Sequence, residues 1–218
     1  PAEPPAEEKP KPKPKPVIPE VKKLETPAPV AKIEETPPAK PPAATGKGLF
    51  SFEGDLEGWD IPDWALQKED YVGQDVSVSR DYASDGQYSL KVTTNFPGGG
   101  IWTAALIEIM EYFDWSKYSA IAVDIYVPAG ATDRLRGKII VTVGEDWTWV
   151  EMSRTITLKP GKWTTIQTDL TPASRDWRQY IPTEQFRTDV RKIAIRIDSD
   201  KYPVYNGPIY IDNIRLIK

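Results

Sequence analysis

The run SAIAVDIYVP (residues 119–128), followed by GKIIVTVG (137–144) and TWVEMSRTITL (148–158), decides the fold class. In each run, apolar residues alternate with other residues, a period of two that is typical of a β-strand with one face on a core. Turn signals such as Pro128-Ala129-Gly130 separate the runs. This stretch therefore predicts consecutive strands joined by short connections.

The same pattern extends in both directions along the chain. Further runs are GLFSFEG (48–54), QDVSVSR (74–80), QYSLKVTT (87–94), IWTAALIE (101–108), KWTTIQTDL (162–170), VRKIAIRID (190–198) and GPIYIDNIRLI (207–217). The only helical signal is a short turn at 183–186. About ten short strands with almost no helix predict an all-β domain, an antiparallel two-sheet β-sandwich of jelly-roll type, over residues 48–218.

Residues 1–47 differ in composition from the rest. They hold 14 of the 22 prolines and no aromatic residue, because Phe50 is the first aromatic in the chain. Alternating Lys-Pro in KPKPKPKPV (9–17) favours extended polyproline II structure. Such a segment has too little apolar surface to offset its ordering entropy. We expect a disordered Pro/Lys-rich linker, with a proline-rich docking motif as the alternative.

Composition also excludes several classes of function. The chain contains neither Cys nor His, which rules out disulfides, Cys/His zinc sites and triads that use imidazole. The predicted domain carries 25 acidic and 19 basic residues, so a nucleic-acid partner is not expected. No apolar run has the length of a membrane span. We expect a soluble, monomeric domain, and the chain, which begins with Pro1, is interpreted as a fragment or a processed product.

Several motifs together resemble the β-jelly-roll carbohydrate-binding modules attached to bacterial glycoside hydrolases. They are FEG (52–54) with EGW (57–59), SDGQYSL (84–90), FDWSKY (113–118) leading into IAVDIYVP (121–128), PGKW (160–163) and IYIDNIRL (209–216). The resemblance covers nearly all of 48–218. It implies a non-catalytic, secreted or cell-surface module, joined to other modules, that binds a polysaccharide. A soluble β-linked mannan, glucan or xylan is the expected class of ligand.

Strand alternation predicts the ligand-binding residues. It directs Ile121, Val123, Ile125 and Val127 inward, and does the same for the Ile and Val residues of the neighbouring strands. The outward residues then include rings for stacking on sugars and charged groups for hydrogen bonds to hydroxyls. The predicted groove contains Trp149, Tyr126, Asp124, Glu151, Arg196 and Asp198.

The other tryptophans fall into two groups. Trp147 shares the parity of Trp149 and is a candidate to extend the platform, whereas Trp64, Trp102 and Trp177 lie in or near loops that could flank a groove. Trp59, Trp115 and Trp163 lie in the segments that carry the resemblance, and we assign them to packing. Ordinary loop packing is the alternative for Trp147, and a solvated ion-pair network is the alternative for the charged residues.

The resemblance also implies a structural calcium ion. In the similar modules an acidic residue on each of the first and last strands, with loop oxygens, holds the ion. Glu53 and Asp212 match those positions, and Asp85 in the 83–87 loop is a further candidate. Calcium requires six to eight oxygen ligands. Surface carboxylates without an ion are the alternative.

Two other functions remain open from the sequence. A jelly-roll glycoside hydrolase would need a pair of carboxylates, which Glu151 with Asp124 or Asp198 could supply. The Glu-x-Asp-x-Glu motif of laminarinase-type hydrolases is absent, since residues 145–151 read EDWTWVE. A structural or adhesive cell-surface domain is the second alternative, because a fold does not fix a function.

Overall fold

The computed structural model describes residues 38–41, 46–202 and 204–218. The predicted linker, 1–47, therefore lies almost entirely outside the described residues. From its described part, Lys40 donates a hydrogen bond to the carbonyl of Gly86 at 3.1 Å. No helix within the described ranges is long and apolar enough to cross a membrane.

Eleven strands and two short helical turns make up the described part of the domain. The strands are β1 (Lys47–Phe50), β2 (Gly73–Ser79), β3 (Ser89–Phe96), β4 (Ala104–Phe113), β5 (Ala120–Val127), β6 (Arg136–Val143), β7 (Thr148–Glu151), β8 (Ile156–Thr157), β9 (Lys162–Asp169), β10 (Val190–Asp198) and β11 (Tyr205–Ile217). The turns are helix α1 (Asp63–Leu66) and a 3₁₀ turn (Glu184–Arg187).

The strands form two sheets. The first sheet has six strands in the order β2-β3-β11-β5-β9, with β1 also paired to β11. The second sheet has five strands in the order β4-β10-β6-β7, with β8 paired to the start of β6. Every strand pair is antiparallel. The prediction of an all-β, antiparallel two-sheet sandwich is confirmed.

The core lies between the sheets and follows the predicted alternation. Ile121, Val123 and Ile125 of β5 face Ile193 and Ile195 of β10 across one hydrophobic cluster, and all five are fully buried. Trp59 and Trp115 join this cluster, and Trp59 meets Phe50 edge-on at 5.5 Å between centroids. Their packing role is confirmed. Burying side chains of this size is the main term that stabilises such a sandwich.

Strand β5 departs from the expected pattern because it is buried on both faces. Asp124 and Tyr126 point away from the core, as predicted, but the segment after β2 lies over them. Ser84 contacts the Asp124 carboxylate at 3.2 Å, and the Tyr82 ring lies 4.4 Å from that of Tyr126. The outer face of the first sheet is therefore closed at this point.

Candidate functional site

The outer face of the second sheet brings together residues from four strands. In the register, Arg196 lies opposite Leu106 on one side and Lys138 on the other. Further along β6, Ile140 lies opposite Glu151 of β7, and Thr142 lies opposite Trp149 of β7. Because alternate residues share a face, these side chains form one surface, which we call the aromatic face.

Glu151 is the centre of a hydrogen-bond network on this face. Arg196 binds it with both terminal nitrogens, at 3.0 Å to Oε1 and 3.1 Å to Oε2. The Trp149 indole donates to Oε1 at 3.1 Å, and Lys138 donates to Oε2 at 3.0 Å. Four donors satisfy a carboxylate that has about four acceptor positions. Glu151 thus holds three neighbouring side chains in place.

Arg196 connects this network to a second carboxylate. Its Nε donates to Oδ1 of Asp198 at 2.9 Å, and the Asp198 side chain is mostly buried. Burial raises the pKa of Asp198, against the opposing effects of Arg196 and Lys138. Burial also acts to raise the pKa of Glu151, but hydrogen bonds from Trp149 and Lys138, with the charge of Arg196, lower it to about 2. Glu151 is therefore ionised wherever the protein is folded near neutral pH.

Three more rings lie beside the network. The ring centroid of Trp64, in α1, lies 6.5 Å from that of Trp149 and 5.0 Å from that of Tyr71. In each pair the ring planes are nearly perpendicular. Tyr71 meets Trp102 at 6.0 Å, and the Arg196 guanidinium lies 5.6 Å from the Trp102 ring. These rings line one side of the network and are only partly buried. They leave ring surface available to a ligand.

The segment 60–72 positions Trp64 and Tyr71. It pairs with the free edge of β4 at both ends, through reciprocal Asp60–Glu108 hydrogen bonds and through Val72 to Ala104. Between these anchors, Pro62 is the N-cap of the short helix α1, with an extended backbone. Trp64 and Tyr71 then pack on a small apolar cluster of Leu106, Ile140 and Ala194, separate from the main core.

The structure brings six of the ten predicted ligand residues together. They are Trp64, Trp102, Trp149, Glu151, Arg196 and Asp198. Sequence reasoning missed Tyr71 and Lys138. Tyr71 lies outside any strand, so alternation gives no signal for it, whereas Lys138 follows from the same parity rule as Arg196, since they are direct neighbours in the sheet.

Three of the predicted residues lie elsewhere and require correction. Asp124 and Tyr126 belong to the first sheet, so they cannot share a groove with Trp149. Trp177 is buried rather than flanking a groove. Its indole donates to the carbonyl of Asp169 at 2.8 Å, and its ring packs 5.2 Å from Phe186. Trp147 is exposed and lies at the end of the second sheet, in the turn before β7.

The buried Asp124 takes part in an ion pair on the first sheet. Arg215 binds it with both terminal nitrogens, at 3.0 and 3.2 Å, and both side chains are almost completely buried. Thr165 donates to Oδ1 at 2.6 Å, and Asn213 donates to Oδ2 at 3.0 Å. Asp124 is thus satisfied within the protein, which is a structural role rather than a ligand-binding one.

The residues proposed to hold calcium are engaged with N–H donors. Asp212 Oδ2 accepts from the backbone of Ser84 at 2.7 Å and of Asp85 at 3.0 Å. Glu53 Oε1 accepts from the backbone of Gln87 and Tyr88. Within the described residues, no three acidic side chains come together as a metal site. These bonds occupy one oxygen of each carboxylate, and calcium binding between Glu53 and Asp212 stays a prediction.

We expect Asp212 to make the domain less stable as pH rises. Its burial raises its pKa from 3.8 to about 6, so the folded state binds the proton more tightly than the unfolded state. The wild type should lose about 3 kcal/mol relative to Asp212→Asn between about pH 3 and pH 7. Urea denaturation of both proteins over this range, in chelated buffer, measures the difference.

The same proteins test for calcium. Binding to the native state would raise the melting temperature of the wild type at pH 7, and Asp212→Asn would not respond. A wild-type melting temperature that is unaffected by both calcium and chelator would contradict the ion. A pH-independent stability difference between the two proteins would contradict the proton effect.

The family described as "Mannanase, galactose-binding domain-like" matches residues 50–213, which is most of the chain and includes the aromatic face. The chain belongs to this family. None of the curated proteins matches it.

Solved structures show the same fold as this member of the mannanase galactose-binding-like family. One is CBM27-1 of Caldicellulosiruptor saccharolyticus in complex with mannohexaose, with a TM-score of 0.53 and 22% identity over 77% of this chain and 94% of that one. Another is a non-crystalline cellulose specific carbohydrate-binding module, CBM28, with a TM-score of 0.57 and 17% identity over 82% and 96%. The resemblance to carbohydrate-binding modules is confirmed.

Proposed function

We propose that this domain is a non-catalytic module that binds a soluble β-linked polysaccharide on the aromatic face. The observation that carries the proposal is the arrangement of Trp64, Trp102 and Trp149 around the network of Arg196 and Glu151. Indole rings cover the C–H faces of sugars, and fixed polar groups beside them select the orientation of the hydroxyls.

The polar groups available to a ligand are mainly donors. Because Glu151 is saturated by four N–H groups, it supports the site and does not accept from a sugar. Arg196 has five N–H groups, of which its ion pairs use only some, and Lys138 keeps donor capacity beyond its bond to Glu151. Such a surface fits the lone pairs of neutral sugar hydroxyls. It offers no cluster of free cations for a polyanion, since both cations are paired with carboxylates.

Mannan is the first ligand to test. The family is named for mannanases, and CBM27-1 was solved with mannohexaose. A soluble β-glucan is the second ligand to test, because the CBM28 module of the same fold is specific for non-crystalline cellulose. Xylan is the third. Affinity electrophoresis of the domain in gels that contain each soluble polymer distinguishes them.

Hydrolysis is the weaker alternative. A nucleophile needs a free oxygen, and a general acid needs a raised pKa, but both Glu151 oxygens are occupied and its pKa is lowered to about 2. Asp198 does have a raised pKa, but its partner in a catalytic pair would be Glu151, whose two oxygens are already occupied by hydrogen bonds. We propose that the module instead delivers an attached catalytic domain to its polymer, outside the cell, where such polymers occur.

Replacing Trp149 with alanine tests this function. The change should weaken binding of a soluble polysaccharide by about 1 to 3 kcal/mol, the value of burying one large side chain, and leave the fold intact because the ring is 40% exposed. Isothermal titration measures the affinity. Trp163→Ala is the matched control, since the Trp163 ring packs against that of Tyr126 on the opposite sheet, with 5.5 Å between the ring centroids. It should lower stability and leave affinity unchanged; the reverse pattern would place the ligand on the first sheet.

A further inference from the structure

A second surface group, made of two exposed rings and an arginine, lies at the end of the second sheet. At this end β4 ends, β10 begins and the β6–β7 turn passes. Its members are Tyr112, Trp147 and Arg191, which we call the end cluster. The Arg191 guanidinium lies 5.3 Å from the Tyr112 ring and 5.6 Å from the Trp147 ring. It thereby joins two aromatic side chains, one from β4 and one from the β6–β7 turn.

Arg191 is held rigidly in this position. Its Nε and a terminal nitrogen each bind the Asp189 carboxylate at 2.9 Å, and its side chain is mostly buried. The register of β10 shifts between Val190 and Lys192 against both of its neighbours. A bulge of this kind changes the direction of the Arg191 side chain, which would otherwise point into the core like that of Ile193. The cation is neutralised by Asp189, so the end cluster offers ring surface rather than net charge.

The rings are exposed although the surrounding sheet is well packed. Tyr112 is 65% exposed and Trp147 is 41% exposed. Trp147 also adopts a left-handed backbone conformation, with φ of 55°. That conformation is unfavourable for a bulky residue, and a strained residue of this kind at a surface suggests a functional constraint. Glycine or asparagine would satisfy the turn better, so the tryptophan is not there for the turn.

The end cluster borders the aromatic face. Trp147 lies in the turn that leads into β7, two residues before Trp149. Met110, which is 62% exposed, lies in the row of Lys192, Thr142 and Trp149, two residues before Tyr112 on β4. The exposed side chains of Trp147, Met110 and Tyr112 thus border the end of the aromatic face. A group of exposed apolar side chains of this kind marks a binding surface.

We propose that the end cluster is an additional sugar subsite, which stacks on the units of the polysaccharide that extend beyond Trp149. This inference rests on the proposed function and adds that affinity depends on chain length. The occupant is the same neutral glycan chain, because the end cluster borders the aromatic face beside Trp149 and its cation, Arg191, is already paired with Asp189.

Trp147→Gly tests the subsite, with tri- and hexasaccharides of the polymer that the domain binds as probes. Isothermal titration should show about a tenfold loss of affinity for the hexasaccharide and less than a twofold loss for the trisaccharide. Trp149→Ala should weaken both. Tyr112→Ala, at a more exposed ring, should repeat the length-dependent loss in a weaker form.

Stability separates this role from a structural one. Because glycine suits the left-handed conformation, Trp147→Gly should keep its melting temperature within about 3 °C of the wild type. Unchanged hexasaccharide affinity in Trp147→Gly, or equal losses for both probes, would refute the subsite and leave the proposed function standing if Trp149→Ala still weakens binding. Failure of the wild type to bind any polymer would refute the proposed function itself.

Discussion

Replacing Arg215 with methionine should lower the free energy of unfolding by about 3 to 5 kcal/mol, because it leaves the Asp124 carboxylate buried without its cation. Thr165, Ser84 and Asn213 would still donate hydrogen bonds to that carboxylate, but none supplies a charge. Urea denaturation measures the loss. Affinity for the polysaccharide, measured where the variant is folded, should not change, since Arg215 lies on the sheet opposite the aromatic face.

The exposed pair of Lys91 and Asp81 provides a control for the Arg215 experiment. Its atoms lie 3.0 Å apart, as in the Arg215 pair, but in contact with solvent. Lys91→Met should cost less than about 1 kcal/mol. Equal losses for Lys91→Met and Arg215→Met would show that burial of Asp124 is not what makes its partner important.

Replacing Arg196 with methionine should affect stability and binding together. Arg196 is the shared partner of Glu151 and Asp198, and its removal leaves Asp198 buried without its ion pair while Glu151 keeps Lys138. We expect a loss of about 3 kcal/mol in stability. We also expect a loss of at least about 2 kcal/mol in binding, because in the proposed site the guanidinium donates to the sugar and it lies against the Trp102 ring.

The comparison of the two arginine variants is the informative result. Both remove a mostly buried cation from a carboxylate, one on each outer face of the sandwich. If Arg196→Met and Arg215→Met reduce stability alike but only Arg196→Met loses affinity, the ligand lies on the second sheet. Loss of affinity in Arg215→Met alone would move the ligand to the first sheet.

Alternation predicted the sandwich and its core because it is a local property of each strand. The inward direction of Ile121, Val123 and Ile125 needs only the period of two. It also predicted the outward direction of Trp149, Glu151 and Arg196. Trp149 and Glu151 lie on β7 and Arg196 on β10, with only β6 between them in the same sheet, so a correct direction was enough to bring them together.

Other parts of the site depend on distant segments, which no local pattern reveals. Asp124 and Tyr126 point outward as predicted, yet the segment that carries Tyr82 and Ser84 covers them. Their strand also belongs to the other sheet, and parity within a strand cannot assign sheets. Trp64 reaches the aromatic face only because residues 60–72 pair with β4, and the saturation of Glu151 required the positions of four donors.

The pairing of residues 60–72 with β4 has a consequence for self-association. In the second sheet β4 is an edge strand, and free backbone groups along such an edge can pair with another copy of the chain. Asp60 and Val72 occupy these groups with hydrogen bonds of 2.7 to 3.1 Å. The segment that supplies Trp64 to the aromatic face thus also shields a sheet edge from pairing with another copy. A change in this segment is accordingly expected to affect self-association as well as the aromatic face.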